Sequence, residues 1–372
     1  MTRQPSAVVT GAASAYPAVR SQEELWDTFM APTLGASRWS RRIFLAAGVR
    51  QRHPAFDPSK EDISSYSTGE RMARYVDEAV PLGREAVEGA LDAAGMKAAD
   101  VGLLAVVSCT GYATPGVDIR LAKELGMDPG LQRLLVGHMG CYAALPGLGA
   151  VSDYVVARQR PAVLLCVELS SLHIQPPTAD LEQVVAHALF SDAASALVVE
   201  PAVGGSRPGL RVVDVSARTD AETAGHMTWD ITDLGFKMGL SRQVPDVLAV
   251  HVGPMVEDLL GRNGVERDEV AGWAVHPGGP RILDVIGEQL DLAATDLAGS
   301  RHVLAEHGNC SSATVLLVLD ELVHARVAEP GRYIVAMAFG PGLTLYAALL
   351  QVVEPGRSAP RDQLSGEGER TD

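Results

Sequence analysis

The chain repeats itself, and the repeat limits the folds open to it more than any single residue does. Gly95-Met96-Lys97-Ala98-Ala99-Asp100-Val101-Gly102-Leu103-Leu104-Ala105-Val106 reads as a helix end, a polar turn and a buried strand. Gly264-Val265-Glu266-Arg267-Asp268-Glu269-Val270-Ala271-Gly272-Trp273-Ala274-Val275 has the same pattern 169 residues later. Gly140-Cys141 corresponds to Gly308-Asn309 at an offset of 168, and the helices expected after them end alike, in Ala157-Arg158 and Ala325-Arg326. Strands expected at 162–168 and 333–338 follow, and Phe190-Ser191-Asp192 before 196–199 echoes Phe339-Gly340-Pro341 before 343–350. Matching order at a nearly constant offset predicts two copies of an α/β unit, fused and packed together. The expected halves are 1–205 and 206–353, joined near 202–208. Residues 354–372, rich in Pro, Gly, Ser and charge, are expected to form a disordered tail.

The pairing has a chemical consequence. Cys141 and Asn309 occupy equivalent turns, so across a pseudo-twofold axis both meet at one central site. His276, in His276-Pro277-Gly278-Gly279-Pro280, begins the turn after a second-half strand and can reach the same place. Cys141 follows the apolar run Leu134-Leu135-Val136 and precedes a helix-like stretch, 143–158. A cysteine against a helix N-terminus is expected to have a lowered thiol pKa. Pro146, five residues into that stretch, should kink or delay the regular helix. Cysteine, histidine and asparagine together suggest acyl transfer through a thioester.

Composition removes several alternatives. A net charge of −15 and a pI near 5.1 argue against a basic nucleic-acid-binding face. No run approaches the about 20 apolar residues of a membrane span. The four cysteines, Cys109, Cys141, Cys166 and Cys310, form no CxxC pair, which argues against a disulfide framework and a zinc site. The N-terminus lacks a signal-peptide apolar core, so a cytoplasmic, reducing setting is expected.

Seven motifs in order carry a resemblance: Ser108-Cys109-Thr110-Gly111, Gly140-Cys141, Ala188-Leu189-Phe190-Ser191-Asp192, Gly235-Phe236-Lys237, His276-Pro277-Gly278-Gly279-Pro280, Gly308-Asn309 and Ala338-Phe339-Gly340-Pro341-Gly342-Leu343-Thr344. Over 8–353 the chain resembles the type III polyketide synthases, and around Cys141 it resembles their actinobacterial alkylpyrone and alkylresorcinol branch. The resemblance implies a thiolase fold, α/β with duplicated αβαβα halves packed as a five-layered core. It implies Cys141 as the nucleophile that holds starter and growing chain. His276 and Asn309 would decarboxylate the malonyl extender and stabilise its enolate as an oxyanion hole does. Phe190 and Phe236 would be gatekeepers, and the loop Gly340, Pro341, Gly342 would shape the cavity wall. Cys109, Thr110, Ser170, His173 and Ser311 would face substrate. The loop bearing Thr114, with a cis bond at Thr114-Pro115, would reach a partner's cavity in a homodimer.

Departures from the plant enzymes are Ser191 in place of a glycine, Ser170 and His173 in place of threonines, and the loss of two CoA-binding basic positions near Trp39 and Ala46, with Arg42 retaining the third. Arg38, Arg41, Arg42, Arg50 and Arg52 are expected to form the patch that an acidic enzyme needs for polyanionic CoA. The implied reaction is iterative condensation of malonyl-CoA, or methylmalonyl-CoA, onto an acyl-CoA starter, then closure to a pyrone or resorcinol, with no metal or tightly bound cofactor. The alternatives are a malonyl-primed, tetrahydroxynaphthalene-type synthase, a single-round 3-oxoacyl synthase III that uses acyl carrier protein, and an inactive thiolase-like partner subunit.

Overall fold

The computed structural model describes residues 5–34, 37–178, 180–202 and 207–354. The expected tail and the middle of the expected connection lie outside them. The strands, in chain order, are β1 Ser6–Ala15, β2 Arg20–Ser21, β3 Gln51–Arg52, β4 Leu103–Val107, β5 Gln132–Val136, β6 Ala162–Leu169, β7 Asp192–Ala202, β8 Gly209–Thr219, β9 Met227–Thr232, β10 Gly235–Leu240, β11 Val270–Val275, β12 Tyr333–Gly340 and β13 Thr344–Val353. Nine of them form one sheet in the order β11-β12-β13-β8-β1-β7-β6-β4-β5, and β9 pairs with β10 in a separate hairpin.

The repeat is written into that order. Outward from the middle, β1-β7-β6-β4 and β8-β13-β12-β11 have the same sequence of senses: antiparallel, antiparallel, parallel. The two runs meet where β1 pairs with β8 at only Val8–Arg211 and Val9–Leu210. β6, Ala-Val-Leu-Leu-Cys-Val-Glu-Leu, is buried at every position, as a strand covered on both faces must be.

Five layers result. The helix Thr68–Ala94 covers the outer face of β1, β7 and β6. Its start is fixed by a capping box, in which the Ser67 hydroxyl accepts from the Glu70 N–H and the Glu70 carboxylate accepts from the Ser67 N–H. Its end is set by Gly95 at φ +63°, a left-handed cap that glycine adopts without strain. The helices Ala144–Arg158 and Ala313–His324 form the middle layer and pack against strands of both runs. The helix Val244–Arg262 covers β8 and β13. Three apolar clusters fill the spaces between layers, the central one holding Leu148, Val151, Leu316 and Val318. Pro146 acts as expected. A short 3₁₀ turn, Gly140–Tyr142, comes first and the regular helix starts at Ala144. The proline therefore falls in the first turn, where its missing N–H has no helical partner to lose.

Candidate active site

Gly140 and Gly308 hold φ of +73° and +72°, so the turns before Cys141 and Asn309 share a left-handed bend that favours glycine. Cys141 is buried in its 3₁₀ turn. A Cβ added to Gly340, at the end of β12, would lie 3.2 Å from the Cys141 backbone nitrogen, so the β12 loop is pressed against the nucleophile turn. Asn309 is buried and bridges to Phe190. Its N–H donates to the Leu189 carbonyl at 2.8 Å, and its own carbonyl accepts from the Ser191 N–H at 2.9 Å. Its Oδ1 accepts from the Ser311 N–H at 2.9 Å. That fixes the carboxamide with its NH₂ turned outward, and the side chain lies in hydrogen-bonding contact with Cys141.

His276 is buried at the end of β11, with its N–H donated to the Met337 carbonyl at 2.8 Å. Its ring stands edge-on to Phe339 at 5.6 Å. Its Nδ1 is buried and has no partner among the described residues. Burial pushes the Cys141 thiol up to about 12, against the lowering effect of Ser311 and Asn309. Burial alone pushes His276 down to about 3. The expected thiol acidification is thus corrected: desolvation outweighs the helix end, and both groups rest neutral.

The cavity at Cys141 is lined by Cys109, Thr110, Gly140, Cys141, Ser170, Phe190, Trp229, Met238, Ser311 and Pro341. Its free volume is about 20 Å³, room for little more than one water. His276, Phe236, His173, Thr114, Gly340, Gly342 and Arg42 are not among its walls. Gly342, at φ +104°, turns the chain from β12 into β13.

His173 stands behind the cavity. Its Nε2–H donates to the Thr110 carbonyl at 2.7 Å and its Nδ1 accepts from the Phe236 N–H at 3.0 Å, which fixes a neutral tautomer. Burial holds its pKa down at about 4. Phe236 stacks on that ring at 4.4 Å. Thr114 sits on an exposed loop with the expected cis bond to Pro115. Arg42 lines a shallow surface recess with Arg38 and Arg41, on the helix Arg38–Leu45. Arg50 is exposed and pairs with Glu306. Arg52 departs from the expected patch: it is 4 % exposed, because β3 turns it inward.

Sequence reasoning missed three residues here. Trp229 faces Cys141 across the cavity and donates its indole N–H to the Cys109 carbonyl at 2.8 Å. Met238, its partner across the hairpin, lines the same wall. Glu168 is fully buried beneath the site. It accepts from Ser312 Oγ at 2.5 Å, Thr110 Oγ1 at 2.8 Å and the Cys109 N–H at 3.1 Å, and burial raises its pKa. A lone carboxylate inside an otherwise apolar strand was the available signal.

Comparison with known proteins follows the same two halves. Residues 39–203 match the model of the chalcone and stilbene synthase N-terminal domain, and residues 215–354 match that of the C-terminal domain. The chain is 37% identical over 321 residues to the 1,3,6,8-tetrahydroxynaphthalene synthase of Streptomyces peucetius subsp. caesius, covering 84% of this chain and 83% of that one. It is 32% identical over 362 residues to an alpha-pyrone synthesis polyketide synthase-like protein of Mycobacterium tuberculosis, covering 93% and 91%. Among solved structures, PKS-I of the brown alga Ectocarpus siliculosus superposes with a TM-score of 0.88 at 29% identity, covering 94% of this chain and 99% of that one.

Proposed function

We propose, from the premise that the chain belongs to the chalcone and stilbene synthase family and is a type III polyketide synthase, that it extends a compact starter on Cys141 with malonyl-CoA, malonyl-CoA itself serving as that starter. The observation that carries the choice of starter is the narrow cavity that Trp229 closes opposite Cys141. The 37% identity to a tetrahydroxynaphthalene synthase supports it.

In this reading Cys141 carries the acyl chain. Loss of CO₂ from the extender leaves a thioester enolate, whose oxygen meets the outward NH₂ of Asn309 and the imidazole of His276. Cys141 and His276 rest neutral, so charge forms only with substrate in place. Arg38, Arg41 and Arg42 take the CoA phosphates at the surface recess. A homodimer is supported by β5, the outer strand of the nine-stranded sheet, where Leu134 and Leu135 are 38% and 47% exposed. Among the described residues no helix is long and apolar enough to cross a membrane.

A second reading, an alkyl starter closing to an alkylpyrone or alkylresorcinol, is favoured by an adjacent apolar pocket that shares Ser170 and Phe190 with the cavity. It is also supported by the mycobacterial relative. Incubation with malonyl-CoA alone, then with C6 to C16 acyl-CoAs (a span of about ten methylenes), separates the two by product mass. The malonyl-primed reading expects condensed product from malonyl-CoA alone and no rise of kcat/KM with starter length. A rise of about fourfold per methylene, the worth of about 0.8 kcal/mol each, would replace it with the alkyl reading.

A further inference from the structure

The pocket beyond Ser170 and Phe190 is not purely apolar. Phe29, Phe56 and Ile174 line it, but so does Arg52, and its free volume of about 40 Å³ exceeds that at Cys141. Arg52 is nearly spent on the protein. Its Nε donates to Gln22 Oε1 at 2.7 Å, and its Nη1 donates to the carbonyls of His187 at 2.5 Å and Phe190 at 2.9 Å. Its guanidinium lies over the Phe44 ring at 4.9 Å. Its Nη2 is buried and has no partner among the described residues.

The neighbouring ionisable groups do not answer it. Asp192 accepts from the Ala55 N–H at 2.7 Å and the Ser171 N–H at 2.8 Å, and also from the Ser171 hydroxyl. His187 is held neutral by burial and by the positive charge of Arg52 itself. A buried charged donor left unpaired costs more than an ordinary hydrogen bond contributes. An oxygen acceptor arriving in the pocket removes that cost.

We propose that this pocket is an anion subsite, in which Arg52 receives the terminal carboxylate of an acyl chain tethered at its other end to Cys141. The inference rests on the malonyl-primed reading. A malonyl group loaded as starter keeps its carboxylate. Each extension is inserted at the thioester end, so the carboxylate is carried away from Cys141, past Ser170 and Phe190, toward Arg52. The apolar walls accept the chain, and the guanidinium gives a charge-assisted hydrogen bond to its end. A plain alkyl chain fills the same walls but leaves Nη2 unanswered.

The test compares starters of equal carbon number in the wild-type enzyme: glutaryl-CoA against pentanoyl-CoA, and succinyl-CoA against butyryl-CoA, each with malonyl-CoA as extender. The carboxylated member of each pair is expected to be favoured at least about tenfold in kcat/KM. Arg52→Gln should abolish the preference, and Arg52→Lys should retain part of it. Ile174→Phe, which fills the pocket without touching any partner of Arg52, should lower the preference as well. This keeps the test open should Arg52→Gln fail to fold.

Equal rates within both wild-type pairs would overturn the subsite, and a condensed product from malonyl-CoA alone would then leave the malonyl-primed reading intact. A strong preference for glutaryl-CoA with no product from malonyl-CoA alone would keep the subsite and remove malonyl as starter.

Discussion

The turn that carries Cys141 and the turn that carries Asn309 have nearly the same backbone but different approaches. Both have a glycine near φ +73°, and both lead into a helix that ends in a left-handed non-glycine residue, Gln159 at φ 52° and Arg326 at φ 51°. Before the first turn lies β5, an exposed outer strand; before the second lies the helix Ala298–His307. The connections beyond differ too. Between β6 and β7 run residues 170–191, which include Ser170 and Phe190, whereas β12 and β13 are joined by residues 341–343 alone. The duplicated parts are those that hold two side chains face to face. The unduplicated parts decide what surrounds them.

Equivalence of the backbones with division of chemistry can be broken at three levels. The largest effect is expected at the side chains. Cys141→Ala should remove polyketide formation altogether while malonyl-CoA decarboxylation persists. Asn309→Ala should slow decarboxylation by about 10²–10³-fold, the usual loss for one oxyanion donor. Both are read by product mass and by acetyl-CoA release. Condensed polyketide from Cys141→Ala would remove that residue as nucleophile.

The second effect concerns charge. With the thiol near 12, the thiolate fraction grows with pH, so alkylation of Cys141 by iodoacetamide should rise about tenfold per pH unit between about pH 6 and 9. A plateau near neutrality would instead mean a resting thiolate–imidazolium pair with His276.

The smallest effect concerns the glycines. A Cβ at Gly140 would meet Pro341 Cδ at 2.7 Å, and one at Gly308 would meet Ser191 Cβ at 2.9 Å. Gly140→Ala and Gly308→Ala should each cost about 1–3 kcal/mol in denaturant unfolding. A large inequality between them would weaken the equivalence of the turns.

Much of this was legible in the sequence because a repeat reports on itself. The offset near 168 residues anticipates the mirrored strand order, and the ordered glycine motifs locate Cys141, His276 and Asn309. What stayed hidden has no counterpart in the other half or depends on burial. Trp229 belongs to the β9–β10 hairpin, an insertion whose register decides which side chain faces the cavity. Phe236 and His173 are one layer apart from that wall, a distinction that motif spacing does not carry. Arg52 looked like one arginine among several until β3 turned it inward. The helix-end argument for Cys141 was sound locally and was outweighed by desolvation, which is a property of the assembled core.

The position of β1 bears on how the protein is made. This strand is among the first parts of the chain to leave the ribosome, yet its neighbours are β7, whose pairing runs to Ala202, and β8, which it meets at Leu210 and Arg211. An early strand that must wait for such late partners leaves Val8, Val9 and Ala12 uncovered through much of translation, a setting in which nascent chains rely on chaperones.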